Sequence, residues 1–237
     1  MPVVVACLVP AAPLLLPWLT GDRVPEVAAV RAAVATALTS LTGLDRVVVV
    51  AARVPGTLAG FGAPEPTVDP DGNRSPSASR RPSGSWPHDL AGQLLDAAGV
   101  GGARELATWD DLISLDDLGD LDDLDDLDDL DDLEGPSRGA GRTGLLLLAD
   151  GSRTRGPRAP GGEDPRGAAV DAELVAALRE GRAPDVTDAD AVGATAGPAV
   201  ALLGALTGHR PGAVELLHEN APLGACYLVA VCRPVRP

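Results

Sequence analysis

Three short apolar runs stand out along the chain, at residues 3–8, 46–51 and 145–148. The first two are rich in valine and the third is four leucines in a row. A continuous apolar run of this length is typical of a strand that is buried on both faces. These runs therefore predict the central strands of a layered α/β sheet.

Stretches with apolar residues three and four positions apart lie between and after these runs. This spacing is typical of one buried helix face, and it predicts helices at 25–41, 88–98, 165–180 and 198–206. Asp164 and Pro165 are typical of a helix start, and Gly181 of a helix end.

Two final apolar stretches, residues 213–217 and 225–231, flank a turn at 220–224 and predict a hairpin. The order of elements predicts a three-layer α/β sandwich. Its central sheet is expected to be mixed, with helices on both faces and a C-terminal β-hairpin.

The length of 237 residues suits one α/β domain over 1–237. Two segments depart from its pattern. Residues 53–87 are rich in Pro, Ser and Gly and predict a long loop. Residues 108–143 contain an acidic low-complexity insert in which eight leucines recur at every third position from Leu112 to Leu133.

A spacing of three turns each successive leucine of the insert by about −60° around a helix, so the eight leucines surround the whole circumference. Since no apolar face results, we expect a solvated, disordered expansion. An acidic docking segment or a weak cation-binding segment is the functional alternative.

The net charge of −15 belongs to the insert. Residues 110–134 hold 14 acidic and no basic residues, and the other 20 acidic residues nearly balance the 19 arginines. Without a basic face, and with 2% aromatic residues, a nucleic-acid partner is disfavoured. The partner is left open as a small molecule or a protein, as is assembly into a homo-oligomer.

The first twenty residues are apolar, but Pro10, Pro13 and Pro17 interrupt any membrane-spanning helix. No basic residue precedes this run, as an export signal would require. Three cysteines are too few for a disulfide scaffold, and Cys226 and Cys232 are too far apart along one strand to pair. We therefore expect a cytoplasmic protein without membrane contact.

Ligands of open α/β sheets bind beyond the carboxyl ends of the strands. The polar residues that follow the three predicted strands are Arg53, Asp150, Ser152 and Arg153. We expect them to converge on one crevice. Two arginines there can hold a carboxylate or phosphate, or they can pair with Asp150 and nearby acids as a structural network.

Five short segments of the chain carry a family resemblance through their combined order and spacing. They are Val-Pro-Ala-Ala-Pro-Leu-Leu at 9–15, Asp-Arg-Val-Val-Val-Val at 45–50, Ala-Asp-Gly-Ser at 149–152, Leu-Leu-Gly-Ala-Leu at 202–206, and Glu-Asn-Ala-Pro-Leu-Gly at 219–224 with Tyr227. In these five segments the chain resembles the subunit-B superfamily of class III extradiol ring-cleavage dioxygenases, which includes the Memo-like proteins. The resemblance covers most of the chain outside 55–85 and 108–143.

The resemblance implies a ferrous iron held by histidines and a carboxylate, with a further histidine as acid and base in the opening of a catechol ring. Carried over position by position, the family's ligands and acid/base histidine fall on Ala11, Arg53, Arg153 and a position near Gly193. Methyl groups and hydrogen offer no lone pair, and guanidinium repels iron. The resemblance therefore implies a catalytically degenerate member that needs no cofactor and acts as a binding or structural protein.

Two alternatives stay open. The first is an active iron oxidoreductase with a remodelled site that uses His88, His218, Glu219 or Cys226. Against it, His88 is typical of a helix cap or surface position, and adjacent residues such as His218 and Glu219 point to opposite faces of a strand. His209 lies in a predicted exposed turn. The second alternative is an anion-binding module in which two arginines of the crevice hold the ligand.

Overall fold

The computed structural model describes residues 3–20, 25–61, 83–113 and 141–234. Strands and helices alternate along this part of the chain. The strands are β1 (Val3–Val9), β2 (Arg46–Ala51), β3 (Ala103–Thr108), β4 (Thr143–Leu148), β5 (Val214–Asn220) and β6 (Tyr227–Cys232). The helices are α1 (Pro17–Thr20), α2 (Pro25–Thr39), α3 (Trp86–Ala97), α4 (Trp109–Ile113), α5 (Arg166–Glu180), α6 (Ala189–Val192) and α7 (Gly197–Leu206).

The strands form one six-stranded sheet in the order β3-β2-β4-β1-β6-β5. The first four strands of this order run parallel, as the β2–β3, β2–β4 and β1–β4 pairings show. β6 runs antiparallel to β1, and β5 runs antiparallel to β6. The mixed sheet and the C-terminal hairpin are therefore both confirmed.

Helices cover both faces of the sheet, which confirms the three-layer sandwich. Alternate residues of β1 enter two separate cores, because neighbouring side chains of a strand point to opposite faces. Val5 and Cys7 join the core beneath α2 and α3, whereas Ala6 and Leu8 join the core beneath α5 and α7.

The ends of α5 follow the local rules that predicted this helix. The helix begins at Arg166, one residue later than predicted, with Pro165 before it, and Asp164 Oδ1 accepts a hydrogen bond from the backbone N–H of Arg166 at 2.9 Å. Gly181 follows the last helical residue with a left-handed backbone (φ 68°). The buried stripe of the helix contains Val170, Leu174, Val175 and Leu178, as its spacing predicts.

The strand β3 was not predicted, and the sequence interpretation that α3 leads directly to the next strand is wrong. β3 lies at the edge of the sheet and pairs only with β2. Its charged residues are held by neighbours: Arg104 pairs with Asp96 at 2.7 Å, and Glu105 pairs with Arg46. An edge strand of this kind has no continuous apolar run for the hydropathy pattern to detect.

The two low-complexity segments are described only in part. Pro55 and Ser85 form an antiparallel bridge, and residues 58–61 form a 3₁₀ turn before the start of α3. Residues 108–113 complete β3 and form α4. Residues 62–82 of the predicted loop and residues 114–140 of the leucine-acid insert lie outside the described residues.

All three cysteines are buried free thiols. Cys226 and Cys232 belong to the core beneath α5 and α7, and Cys7 belongs to the opposite core. Among the described residues, no helix combines the length and the apolar character needed to cross a membrane.

Candidate functional site

The carboxyl ends of β1, β2 and β4 meet at one edge of the sheet, where parallel α/β sheets bind ligands. β6 begins at this same edge because it runs antiparallel to β1. We call the space around Asp150 at this edge the crevice. Its described components are the backbone of Ala11, the side chains of Asp150, Arg153 and Thr195, and the backbone of Gly193.

Asp150 is half-buried and connects two parts of the crevice. Its Oδ1 accepts a hydrogen bond from the backbone N–H of Ala11 at 3.1 Å. Its own N–H donates to Thr195 Oγ1 at 2.9 Å, and its carbonyl accepts from the N–H groups of Thr195 and Ala196 at 2.8 and 3.0 Å. The residue thus ties the loop after β1 to the segment that enters α7.

Burial raises the pKa of Asp150 to about 6, although the N–H of Ala11 and the charge of Arg153 both act to lower it. Burial also raises the pKa of Tyr227 to about 12, and the negative charge of Asp150 adds to this effect. The crevice therefore holds a carboxyl group that changes charge near neutral pH.

Arg153 lies beside Asp150 and over Gly193. Its backbone N–H donates to the carbonyl of Val192 at 2.9 Å. A Cβ atom at position 193 would lie 2.7 Å from Arg153 Nε, and Gly193 has a left-handed backbone (φ 68°). A side chain at position 193 would displace the guanidinium. The structure therefore brings together four of the predicted positions: Ala11, Asp150, Arg153 and Gly193.

Arg53 acts on a different carboxylate. Its side chain is exposed, and its charge contributes to the lowered pKa of Asp111, which is lowered mainly by hydrogen bonds from Thr108. Thr108 ends β3, whereas Arg153 follows β4. The two guanidinium groups therefore interact with acids that follow different strands.

Ser152 does not line the crevice as expected, because it is fully buried against α5. Its N–H and its hydroxyl both donate to the carboxylate of Asp171, each at 2.7 Å. Arg155 Nη1 lies 2.7 Å from the same carboxylate. Asp171 is only 1% exposed, so Ser152 belongs to a structural network beneath the crevice.

His88 is buried, contrary to the predicted cap or surface role, and both of its ring nitrogens have partners. Nε2 donates to the carbonyl of Ala107 in β3 at 2.9 Å, so Nδ1 accepts from the hydroxyl of Ser85 at 2.9 Å. This histidine joins α3 to β3 and has no free lone pair for a metal.

His218 and Glu219 point to opposite faces of β5, as predicted. Glu219 lies 3.6 Å from Arg179 of α5, whereas His218 pairs with Val229, whose side chain joins the opposite core. Burial lowers the pKa of His218. His209 is exposed and donates from Nδ1 to the carbonyl of Gly181 at 2.9 Å.

His88 and His218 cannot form one site. His88 lies on α3 and contacts β3, whereas His218 lies on β5, and these two strands are the two edges of the sheet. Five strand spacings of about 4.8 Å separate them by about 24 Å. Among the described residues, no group of three or more His, Cys, Asp or Glu side chains is arranged to hold a metal ion.

The crevice does not fit the ferrous iron that the resemblance implies. Ala11 presents a methyl group, and Arg153 lies where a Cβ at Gly193 would project. Asp150 is the one carboxylate that contacts the Ala11 backbone there, and a permanent cation lies beside it. A site for iron needs about three lone-pair donors, which these positions do not supply.

Sequence reasoning missed three residues of this region. Thr195 and Arg155 are separated in sequence from their partners, and nothing in the local pattern indicates their contacts. Asp171 did carry a signal, because it is an acidic residue within the apolar stripe of α5. A buried carboxylate requires hydrogen-bond donors, and Ser152 and Arg155 are those donors.

Neither protein-family models nor curated proteins give a match to the chain.

Proposed function

We propose that the chain is a catalytically degenerate member of the extradiol dioxygenase subunit-B-like superfamily. In this proposal it binds a small molecule or a protein in the cytoplasm and uses no metal. The observation that carries the proposal is the state of Asp150: its carboxylate accepts the N–H of Ala11 and lies beside Arg153. A carboxylate held in this way is suited to fixing loops and ligands. The positions around it do not supply the further lone-pair donors that a metal ion would need.

The fold supports this proposal at a coarser level. A mixed sheet between helices, with its crevice at the carboxyl edge of parallel strands, is an arrangement that binds ligands in many protein classes. The three buried free thiols agree with a reducing compartment.

Iron content and ring cleavage test the proposal directly. The full chain would be expressed with added iron and dialysed, and its iron content measured by elemental analysis. A second sample would be loaded anaerobically with ferrous iron and then assayed for ring cleavage with catechol under air. We expect substoichiometric iron and no ring-cleaved product. Stoichiometric iron together with cleavage, both lost in Asp150→Asn, would place an active metal centre in the crevice and overturn the proposal.

A remodelled iron site is the rival that this experiment also addresses. The separation of His88 from His218 argues against a site that uses both. Iron and turnover that survive Asp150→Asn but disappear in His88→Ala or His218→Ala would favour the rival.

An anion site that uses Arg153 of the crevice and the separate Arg53 is a second candidate, favoured by the exposure of both side chains. Both Arg53 and Arg153 are exposed, and neither guanidinium has a hydrogen bond within the described part of the chain. Thermal unfolding with inorganic phosphate and with acetate tests this function. Stabilisation that is lost in Arg153→Gln supports it, and stabilisation that survives that substitution excludes Arg153 as the anion ligand.

A further inference from the structure

A cleft of about 290 Å³ lies outside the crevice, between two loops. One wall is formed by residues 155–158, which follow β4, and the other by residues 221–224, which connect β5 to β6. We call this space the arginine cleft. Neither the fold nor the proposed function accounts for it.

Among the described residues, the charged side chains that line the arginine cleft are two arginines and no acidic one. Arg155 is fixed from below, because its Nη1 contacts the buried carboxylate of Asp171 at 2.7 Å while 37% of its side chain stays exposed. Arg158 is exposed and has no hydrogen bond or ion pair within the described residues. In a chain of net charge −15, this cleft is locally positive.

Apolar residues from both walls also line the arginine cleft. Pro157, Pro222 and Leu223 line it, and Leu223 is 45% exposed. A cation pair beside an exposed leucine suits a ligand with a charged head and an apolar body.

Both walls of the cleft are held in place by the backbone. The N–H of Arg155 donates to the carbonyl of Gly224 at 2.9 Å, and the N–H of Ala159 donates to the carbonyl of Gly156 at 3.0 Å. Gly224 lies directly against Ala159, so that a Cβ atom there would overlap the Ala159 backbone. The cleft is therefore largely formed before a ligand binds, which lowers the entropy lost on binding.

A neighbouring cleft shows why the arginine cleft is the better anion site. It shares Arg155 and Gly156 but is also lined by Glu163 and Asp164. These carboxylates oppose an anion, whereas the described lining of the arginine cleft contains no carboxylate.

We infer that the arginine cleft binds a small phosphate monoester with an apolar body. Arg155 and Arg158 would hold the phosphate oxygens, and Pro222 and Leu223 would contact the apolar body. A phosphate monoester carries a charge of about −1.5 to −2 at pH 7. It is attracted to the exposed Arg158 and to the exposed part of Arg155, whose charge is partly offset by Asp171. This site is separate from the crevice and does not depend on its function.

Calorimetric titration with phenyl phosphate tests the inference in the Arg53→Gln/Arg153→Gln background, which removes the two arginines of the alternative anion site. We expect saturable binding that weakens about tenfold in Arg158→Gln, as the loss of one charge-assisted contact predicts. Leu223→Ser should weaken phenyl phosphate binding while leaving the weaker binding of inorganic phosphate unchanged.

Arg210→Gln is the matched control, because Arg210 is also exposed and precedes β5, at the opposite end of that strand from the cleft. We expect it to change the affinity by less than about twofold. No saturable binding, or an equal loss in Arg158→Gln and Arg210→Gln, would overturn the inference. Because the titration involves neither iron nor catechol, its failure leaves the proposed function untouched.

Discussion

Asp150 shows how one carboxyl group acquires unusual properties from its position. Burial outweighs the N–H of Ala11 and the charge of Arg153, and it raises the pKa of Asp150 from 3.8 to about 6. At pH values between 3.8 and about 6, Asp150 of the folded chain keeps a proton that the unfolded chain has released. The group therefore favours the folded state at acid pH, and this contribution is lost as the pH rises through 6.

The variant Asp150→Asn should remove this pH dependence while keeping an oxygen for the N–H of Ala11. We expect its unfolding free energy, relative to that of the wild type, to rise by about 2 kcal/mol between pH 4 and pH 7.5. Urea denaturation at the two pH values measures the difference. Asp190→Asn, at an exposed acid on α6, is the control. A difference that stays constant with pH would contradict the assignment of this titration to Asp150.

Asp171 is a second carboxylate, and it connects α5 to the segment that follows β4. It accepts two hydrogen bonds from Ser152 and contacts Arg155. We expect Asp171→Ala to lower the unfolding free energy by about 3 kcal/mol, because it leaves buried donors without an acceptor.

Ser152→Ala removes a single donor from the same network and should lower the unfolding free energy by about 1 kcal/mol. Urea denaturation of the two variants gives both values. Equal losses of unfolding free energy in the two variants would contradict the expectation that Asp171 contributes more than the single Ser152 hydroxyl.

At the scale of elements, the β5–β6 turn depends on a close backbone contact. Gly224 has a positive φ of 82°, and a Cβ atom there would overlap Ala159. We expect Gly224→Ala to lower the unfolding free energy by about 3 kcal/mol, from backbone strain and steric overlap together.

Gly208→Ala is a matched control for Gly224→Ala. Gly208 has a similar φ of 60°, but a Cβ atom there would meet nothing within 4 Å. Its variant should lose only about 1 kcal/mol, the cost of the backbone conformation. Thermal denaturation compares the two variants, and equal losses would mean that the contact with Ala159 contributes nothing.

The elements that sequence reasoning predicted well share one property: each faces a core directly. β1, β2 and the helices α2, α5 and α7 carry unbroken apolar runs or stripes, which the physical need for burial imposes on the sequence. β3 is an edge strand whose sequence, Ala-Arg-Glu-Leu-Ala-Thr, has no continuous apolar run. β5 is the other edge strand and was predicted, because it carries the apolar residues Val214, Leu216 and Leu217.

The site was less predictable than the fold. The rule that ligands bind beyond the carboxyl ends of strands pointed to Asp150 and Arg153, which the structure places beside each other. It could not show that Ser152 turns inward, because its partner Asp171 lies 19 residues later on another element. Contacts of this kind depend on tertiary packing and leave no local signal.

At the scale of the whole molecule, stability should not depend on a metal. The core lies on both faces of the sheet, and the described residues hold no cluster suited to a metal ion. We expect the melting temperature to change by less than about 1 °C after treatment with EDTA or after anaerobic addition of ferrous iron. Differential scanning calorimetry measures this change. A clear rise in melting temperature with iron, in proportion to its concentration, would contradict the expectation.

The order of strands has a consequence for a chain that is cut. β4, from the second half of the sequence, lies between β1 and β2 from the first half, while β1 lies between β4 and β6. A backbone break anywhere between positions 113 and 141 would therefore yield two fragments, neither of which carries a complete set of neighbouring strands. Each fragment supplies the strand partners that the other lacks. The two halves of this sheet are therefore joined by strand pairing as well as by the peptide chain.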